Sequence, residues 1–284
     1  MTYRECYEKG CHILNEAGIE ESTLDARLLL EAVCGTDRND LLAHGEQPVM
    51  SQAEEKYLNW IRQRAEHIPL QQLTGEQDFM GLTFSVNEHV LIPRQDTEIL
   101  VEEVLKELHD RMRILDMCTG SGCILLSLLH YSNDCEGLGV DLSAEALEVA
   151  GRNVLKVLTP EKAEHAHFLQ SDLFEKVEEK FEIIVSNPPY IASAEVEKLM
   201  PEVRDHEPRM ALDGTEDGLH FYRRIIKEAG KHLVNSGMLF FEIGYDQGQA
   251  VSELMRAGGY REVQVVQDYA GLDRVVLGTY CERN

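Results

Sequence analysis

From Ile114 to its end, the chain alternates short apolar runs, glycine-bearing turns and stretches of helical pattern. Ile114-Leu115, Gly139-Val140, Ile183-Ile184-Val185 and Met238-Leu239-Phe240-Phe241 read as strands buried on both faces, since such strands need no polar alternation. With helical patterns between them, they predict an α/β fold built on a mainly parallel sheet. Two last extended stretches, 260–266 and 274–278, are separated only by a turn containing glycine. That is too little chain for a parallel crossover, so they are expected to pair antiparallel.

The first 74 residues show helical patterns only. Ser22 with Asp25 opens a segment ending at Cys34 in a pattern close to a capping box, and Gly35 closes it. Ser51 with Glu54 repeats the arrangement for a helix ending before Pro69, on which Tyr57, Leu58, Ile61 and Ala65 share a face. Trp60 lies beside that face and reads as a packing residue. Gln77-Asp78-Phe79-Met80 and Thr83-Phe84-Ser85-Val86, separated by Gly81, predict a hairpin. After Pro93, Asp96 or Thr97 can cap a helix carrying Ile99, Leu100, Val104 and Leu108. The chain is thus divided into a helical domain at 1–74, a hairpin linker at 75–93 and an α/β domain at 94–284.

Of the 284 residues, 43% are hydrophobic, enough for a substantial core. Against 27 basic side chains stand 51 acidic ones, a formal charge of −24. A duplex-binding surface needs clustered Lys and Arg to neutralise phosphates, and the pairs Arg111/Arg113 and Arg223/Arg224 do not supply it. Stable nucleic-acid binding is therefore not expected; an acidic surface suits a basic macromolecular partner, or simply solubility. The seven cysteines are scattered without a C-x-x-C pair, which argues for thiols in a reducing compartment rather than disulfides or a zinc knuckle. No metal site is expected. With no membrane-length apolar stretch and no basic segment leading an apolar run at the N-terminus, the expected location is the cytoplasm.

Asp116-Met117-Cys118-Thr119-Gly120-Ser121-Gly122-Cys123 follows a strand and opens a helix. Glycines there let the backbone turn sharply and approach a ligand. The third glycine of the dinucleotide fingerprint is replaced by Leu125, which suits an aminoacyl-nucleoside without phosphates better than a pyrophosphate. Asp141, ending the next strand, can accept from both ribose hydroxyls, in NAD or S-adenosylmethionine alike. Asp172, followed by Leu173, is placed to accept from an adenine amine. Each carboxylate could instead be a helix cap or turn former. Cys118 and Cys123 read as small buried fillers rather than reactive thiols.

Asn187-Pro188-Pro189-Tyr190 ends a buried strand at the carboxyl edge of the sheet, where ligands sit in open α/β folds. Asn187 precedes proline and is driven extended. Pro188 and Pro189 carry no N–H, so the loop offers carbonyl acceptors without competing donors, and Tyr190 supplies an aromatic face. This combination suits an NH₂ group conjugated to a ring or carbonyl. Oxygens of Asn187 and Pro188 would orient it and stabilise charge developing on nitrogen, so that methyl transfer needs positioning more than a base or metal.

With both loops in view, the chain resembles the peptide chain release factor glutamine N5-methyltransferases, the PrmC/HemK family. The resemblance spans nearly the whole length, through Pro69-Leu70-Gln71-Gln72-Leu73-Thr74-Gly75, Val90-Leu91-Ile92-Pro93-Arg94, Val140-Asp141-Leu142-Ser143, Ser171-Asp172-Leu173-Phe174, Glu207-Pro208, Phe241-Glu242-Ile243-Gly244-Tyr245-Asp246-Gln247 and Ala270-Gly271-Leu272-Asp273-Arg274-Val275-Val276. It implies a class I, Rossmann-like methyltransferase with a seven-stranded, mostly parallel sheet whose last strand is antiparallel, and a small helical bundle that docks the protein substrate. It implies S-adenosyl-L-methionine as cofactor, held by Cys118, Thr119, Gly120, Ser121, Gly122, Asp141, Asp172, Leu173 and Asn187. Asn187, Pro188, Pro189 and Tyr190 would then hold the glutamine amide of a Gly-Gly-Gln motif in release factors. Gln95-Asp96 stands where the family usually has Pro-Glu, Cys118 where glycine is frequent, and Leu272 where arginine is usual. The Cys118 variant is similar to enzymes that modify a ribosomal-protein glutamine. The tetrapeptide is also shared with adenine-N6 methyltransferases, and a non-catalytic cofactor-binding protein is the reading from a third class.

Overall fold

The computed structural model describes residues 1–282. The chain divides into two compact units, Met1–Glu76 with Met200–His206, and Gln77–Leu199 with Glu207–Asn284. The first unit is therefore discontinuous in sequence, and the hairpin belongs to the second.

The first unit contains α1 (Tyr3–Glu16), α2 (Ser22–Cys34), α3 (Arg38–Ala43), α4 (Ser51–Ala65) and α5 (Leu70–Thr74). Cys6, Leu14, Ala26, Leu29, Leu30, Tyr57 and Ile61 form its dry centre, with Leu58 and Ala65 at the margin. Trp60 packs against this core and carries the Lys56 ammonium 4.3 Å from its ring centre. The caps differ from expectation. Helix α2 starts at Ser22 with Glu21 at its cap and no side-chain cap bond, because Asp25 is buried against Arg64 at 2.7 Å. Helix α4 likewise starts at Ser51 without a side-chain cap, while Glu54 pairs with the amino terminus. A reciprocal capping box does form, at Thr2 and Glu5.

The second unit opens with the hairpin β1 (Glu76–Phe79) and β2 (Leu82–Ser85), turned by Met80 and Gly81 at φ of 52° and 70°. Helix α6 (Asp96–Glu107) follows. Neither Asp96 nor Thr97 caps it: Asp96 pairs with Arg274 at 3.1 Å, and the Thr97 hydroxyl accepts from Asn187. Then come β3 (Arg113–Met117), α7 (Cys123–Tyr131), β4 (Glu136–Asp141), α8 (Ala144–Val157), the turn α9 (Pro160–Ala163), β5 (Ala166–Gln170) and β6 (Phe181–Ser186). Three short helices, α10 (Ser193–Val196), α11 (Pro201–His206) and α12 (Arg209–Leu212), precede α13 (His220–His232). The chain closes with β7 (Leu233–Glu242), α14 (Gly248–Ala257), β8 (Arg261–Gln267) and β9 (Asp273–Thr279). Of these, α11 is the segment that belongs to the first unit.

The seven-stranded sheet has the order β5-β4-β3-β6-β7-β9-β8. β3 pairs parallel with β4 and β6, β4 with β5 and β6 with β7, whereas β9 is antiparallel to both β7 and β8. This is the mostly parallel sheet with an antiparallel last strand expected above. The chain steps from β3 outward to β5 and then returns to β6 on the other flank of β3, which opens a crevice at the carboxyl ends of β3 and β6. The two singled-out loops, after Met117 and after Ser186, sit at those ends; Met117 and Ser186 are register partners.

Candidate active site

A cavity of about 220 Å³ lies in this crevice, within the second unit. Its floor is the turn from β3 to α7, and all five singled-out residues Cys118 through Gly122 belong to it, Gly122 at its end, Cys118, Thr119, Gly120 and Ser121 on its wall. The turn is held from below. Asp116 is fully buried and accepts from the Thr119 hydroxyl at 2.6 Å and from the Leu125 amide at 3.3 Å. Gly122 takes φ of 78° as the cap of α7, and a Cβ there would meet the Ala150 Cβ at 3.2 Å. The missing third glycine is no obstacle, because Leu125 is buried in the core behind the turn.

Cys118 and Leu173 both adopt left-handed backbone, at φ of 64° and 49°. Each costs a non-glycine residue on the order of 1 kcal/mol, which a surrounding structure must impose. At Cys118 this accounts for glycine being the easier choice at such a position. Its thiol is no nucleophile: burial, first, and then the charges of Asp141 and Asp116 push it well above the ordinary thiol range. Burial likewise pushes Cys123 up to about 12.

Asp141 stands at the end of β4 on the cavity wall, with Oδ2 accepting from the Gly120 amide at 2.9 Å and Oδ1 from the Ser143 amide at 2.9 Å. Burial raises its pKa and these amides pull it back. The carboxylate is thereby fixed in place between two turns, with lone pairs to spare for hydroxyl donors. Asp172 and Leu173 form the next wall. Asp172 is paired with Arg224 at 2.9 Å, so its side chain is already engaged, and Leu173 is buried beneath the cavity.

The acceptor loop enters from β6. Ser186 donates to the Met117 carbonyl at 2.6 Å, which locks β6 to β3 at the crevice. Asn187 and Pro189 line the cavity, whereas neither Pro188 nor Tyr190 does: Pro188 is buried, and Tyr190 packs against the core and turns its hydroxyl to Glu242 at 3.3 Å. The Asn187 amide nitrogen donates to Thr97 at 3.5 Å. Behind the loop, Gln247 donates to the carbonyl of Tyr190 at 3.0 Å and to that of Gly218 at 3.4 Å. At Gly218, with φ of 70°, a Cβ would stand 2.3 Å from the Tyr190 oxygen, so only glycine admits this buttress.

Several residues of the site carry no local sequence signal. Thr97 lines the cavity and is buried. Glu242 is a buried acid at the end of the apolar strand β7; that placement is the one clue a linear reading offers, since an unpaired charge is rarely buried. Arg94 lines the opposite wall and is paired with Glu207, which also accepts from the Ile92 amide at 3.3 Å. Among the described residues, no lysine lines the cavity, and its arginine is taken by Glu207. With no lysine and only a paired arginine, such a lining lacks the cationic side chains that grip phosphates and suits a nucleoside without them. No group of three or more His, Cys, Asp and Glu among the described residues is disposed to hold a metal ion.

Comparison with known proteins bears on the family and the fold. A family model described as PrmC N-terminal domain matches residues 5–75, and one described as Methyltransferase small domain matches residues 94–203. A release factor glutamine methyltransferase of Moorella thermoacetica is 43% identical over 281 residues, covering 98% of both chains. One from Clostridium acetobutylicum is 39% identical over 281 residues, again covering 98% of both. In fold, the chain is similar to a methyltransferase from Pyrococcus furiosus, with a TM-score of 0.52 and 16% identity, covering 82% of this chain and 100% of that one.

Proposed function

The chain belongs to the release factor glutamine methyltransferases, and from that premise we propose that it transfers the methyl group of S-adenosyl-L-methionine to the side-chain amide nitrogen of the Gly-Gly-Gln glutamine in peptide chain release factors. The observation that carries the reading is Asn187, held by Thr97 on the wall of a cavity that also carries Asp141 and the glycine turn. Division of labour follows the two units: the helical one, 1–76 with Met200–His206, would dock the protein substrate, and the second, hairpin included, would carry the chemistry.

The cofactor fits the residues present. The turn of Cys118, Thr119, Gly120, Ser121 and Gly122 would accommodate its aminoacyl part, Asp141 its ribose hydroxyls, and Asp172 with Leu173 its adenine; when bound it supplies an electrophilic methyl on sulfonium. An amide nitrogen is a poor nucleophile because its lone pair is delocalised. The Asn187 oxygen accepts from the NH₂ and steadies the positive charge that grows on nitrogen, and the Pro188 carbonyl is the second acceptor. Pro189 stiffens the strand end, and the Tyr190 ring, anchored by its hydroxyl on Glu242, would supply an aromatic face to the acceptor. These groups work by orientation, which can account for about 7–11 kcal/mol of a bimolecular barrier when geometry is fixed in advance.

The test is mass spectrometry of release factors incubated with the protein and cofactor, where glutamine should gain one methyl. Transfer to a ribosomal-protein glutamine instead, which the Cys118 variant favours, would correct the substrate; no transfer to either would reject the reading. A net charge of −24 speaks against an adenine in nucleic acid and for a basic protein partner. A translation factor as substrate also puts the reaction in the cytoplasm; among the described residues no helix is long and apolar enough to cross a membrane. For the cofactor, Asp141→Ala is expected to weaken binding at least about tenfold, or 1.4 kcal/mol, measured by isothermal titration. Affinity within a factor of two would remove Asp141 from the site.

A further inference from the structure

We propose that Gln247 is a positioning residue that fixes the acceptor loop by clamping the peptide group through which the chain leaves it. The clamp serves the glutamine-amide acceptor proposed above and rests on that reading. A loop that holds a reacting amide must itself stand still, because a misplacement of about 1 Å can cost about a hundredfold in rate. Yet Pro188 and Pro189 have no N–H, so two successive peptide groups of this loop cannot be tethered by donation. The tether has to come from the residues that follow.

The peptide group joining Tyr190 to Ile191 is held from both sides. Its carbonyl accepts from the Gln247 amide nitrogen at 3.0 Å, and its N–H donates to the Leu212 carbonyl at 3.0 Å. A rotation of this peptide plane would break both bonds at once. The same Gln247 nitrogen reaches the Gly218 carbonyl at 3.4 Å, and the Gly214 amide donates to the Ile191 carbonyl at 2.8 Å, so residues 212–218 form a strap behind the loop. The strap lies close: a Cβ on Gly214 would stand 2.8 Å from the Tyr190 Cα, and one on Gly218 would press on the Tyr190 carbonyl. At its far end Tyr190 donates its hydroxyl to Glu242, the last residue of β7, at 3.3 Å. Backbone and side chain of Tyr190 are thus both pinned from the junction of β7 with α14.

The Gln247 amide is itself directed. A glutamine amide could present either end to the loop, and its neighbours decide which. Oε1 accepts from the Gly244 amide at 3.0 Å, with the Tyr222 hydroxyl 3.4 Å away, while Nε2 faces the two carbonyls. Oxygen toward an N–H and nitrogen toward two carbonyls is the one orientation that pairs every donor with an acceptor. Gln247 stands at the N-cap of α14, and its backbone N–H closes a turn on the Gly244 carbonyl at 2.9 Å. The side chain therefore folds back over a turn already made, and little freedom is left to lose when it grips the loop. It stands off the cavity wall, so it acts on the reaction only through the loop.

The experiment measures kcat, KM for a release factor and cofactor affinity by isothermal titration for the wild type, Gln247→Met, Gln247→Glu and Gly218→Ala. Gln247→Met removes the clamp and is expected to lower kcat at least about tenfold, with KM for the release factor changed less than about threefold and cofactor affinity within about a factor of two. Gln247→Glu keeps an oxygen for Gly244 but sets a carboxylate against two carbonyls, so its kcat should be no higher than that of Gln247→Met. The added Cβ of Gly218→Ala pushes the Tyr190 carbonyl off the same bond and should give the same pattern. The double variant of Gln247→Met with Gly218→Ala should then lose no more than about threefold beyond the less active single variant. A folded Gln247→Met with kcat within a factor of two overturns the clamp. So does a kcat loss matched by an equal loss of cofactor affinity, which would mean that the whole site has collapsed. Should circular dichroism show Gln247→Met unfolded, a Gly218→Ala kcat within a factor of two overturns it instead. A wild type inactive on every release factor overturns the acceptor reading, and the clamp with it; an active wild type with unaffected variants overturns the clamp alone.

Discussion

Asn187→Ala is expected to lower kcat at least about a hundredfold, equivalent to about 2.7 kcal/mol of barrier. In the proposed reaction the side chain has a definite task. It stands on the cavity wall at the end of β6, and its nitrogen is occupied by Thr97. Only its oxygen remains to meet an amide NH₂. As nitrogen attacks, its lone pair leaves conjugation and its hydrogens become more acidic, so a bond from NH₂ to that oxygen strengthens from ground state to transition state. An interaction of this kind shows in kcat rather than in substrate KM. Alanine also removes the donor to Thr97, but the backbone extension imposed by Pro188 stays, so the loop keeps its course. Steady-state kinetics with a release factor substrate decides the matter. A loss confined to KM, with kcat within about threefold, would mean that the residue merely helps to bind.

Arg64→Met is the second large effect, and it falls on stability. Arg64 is buried on α4, with Nε 2.7 Å from Asp25 on α2 and Nη2 2.6 Å from Glu202 on α11, all within the first unit. Methionine keeps much of the volume but strands two carboxylates. Breaking a buried pair costs about 3–5 kcal/mol, and the partial exposure of Glu202, 24%, puts the expectation at the lower end, about 3 kcal/mol. The protein's lone tryptophan, Trp60, packs against the core of this unit and reports its unfolding by fluorescence. The urea midpoint should fall by about 1–3 M. Adding Asp25→Leu and Glu202→Leu should restore part of the loss, because the penalty lies in the uncompensated charges. A midpoint displaced by no more than a few tenths molar would mean that water already solvates the pair.

The α/β order was legible wherever a residue's role is set by its neighbours in sequence. Buried strands announce themselves as apolar runs, the tight turn after Met117 as closely spaced glycines, and the antiparallel end as two strands with too little chain between them. Asn187 and Asp141 were legible for the same reason, since both sit at strand ends that topology brings to one crevice. Residues whose partners lie far along the chain were misread or missed. Asp25, Glu54 and Asp96 look like helix caps, yet their carboxylates go to Arg64, the amino terminus and Arg274. Thr97 looks like a cap and instead receives Asn187 from ninety residues away. Glu242 ends an apolar strand, and that placement alone hints at a buried acid, without naming its partner Tyr190. The membership of Met200–His206 in the first unit has no local mark at all, because it depends on Arg64 reaching Glu202, on Gln72 donating to the His206 carbonyl at 2.8 Å and on the His206 ring meeting the Glu66 carbonyl at 3.1 Å.

That split membership governs how the protein can be born. A ribosome delivers residues in order, and the helices α1 to α5 emerge more than a hundred residues before the short helix that answers Arg64. Until His206 has left the exit tunnel, the nascent bundle holds a guanidinium with half its counter-charge, and the strands β3 to β6 emerge in the meantime. Completion of the amino-terminal bundle is thus a late event in synthesis, timed by a segment encoded deep inside the other unit.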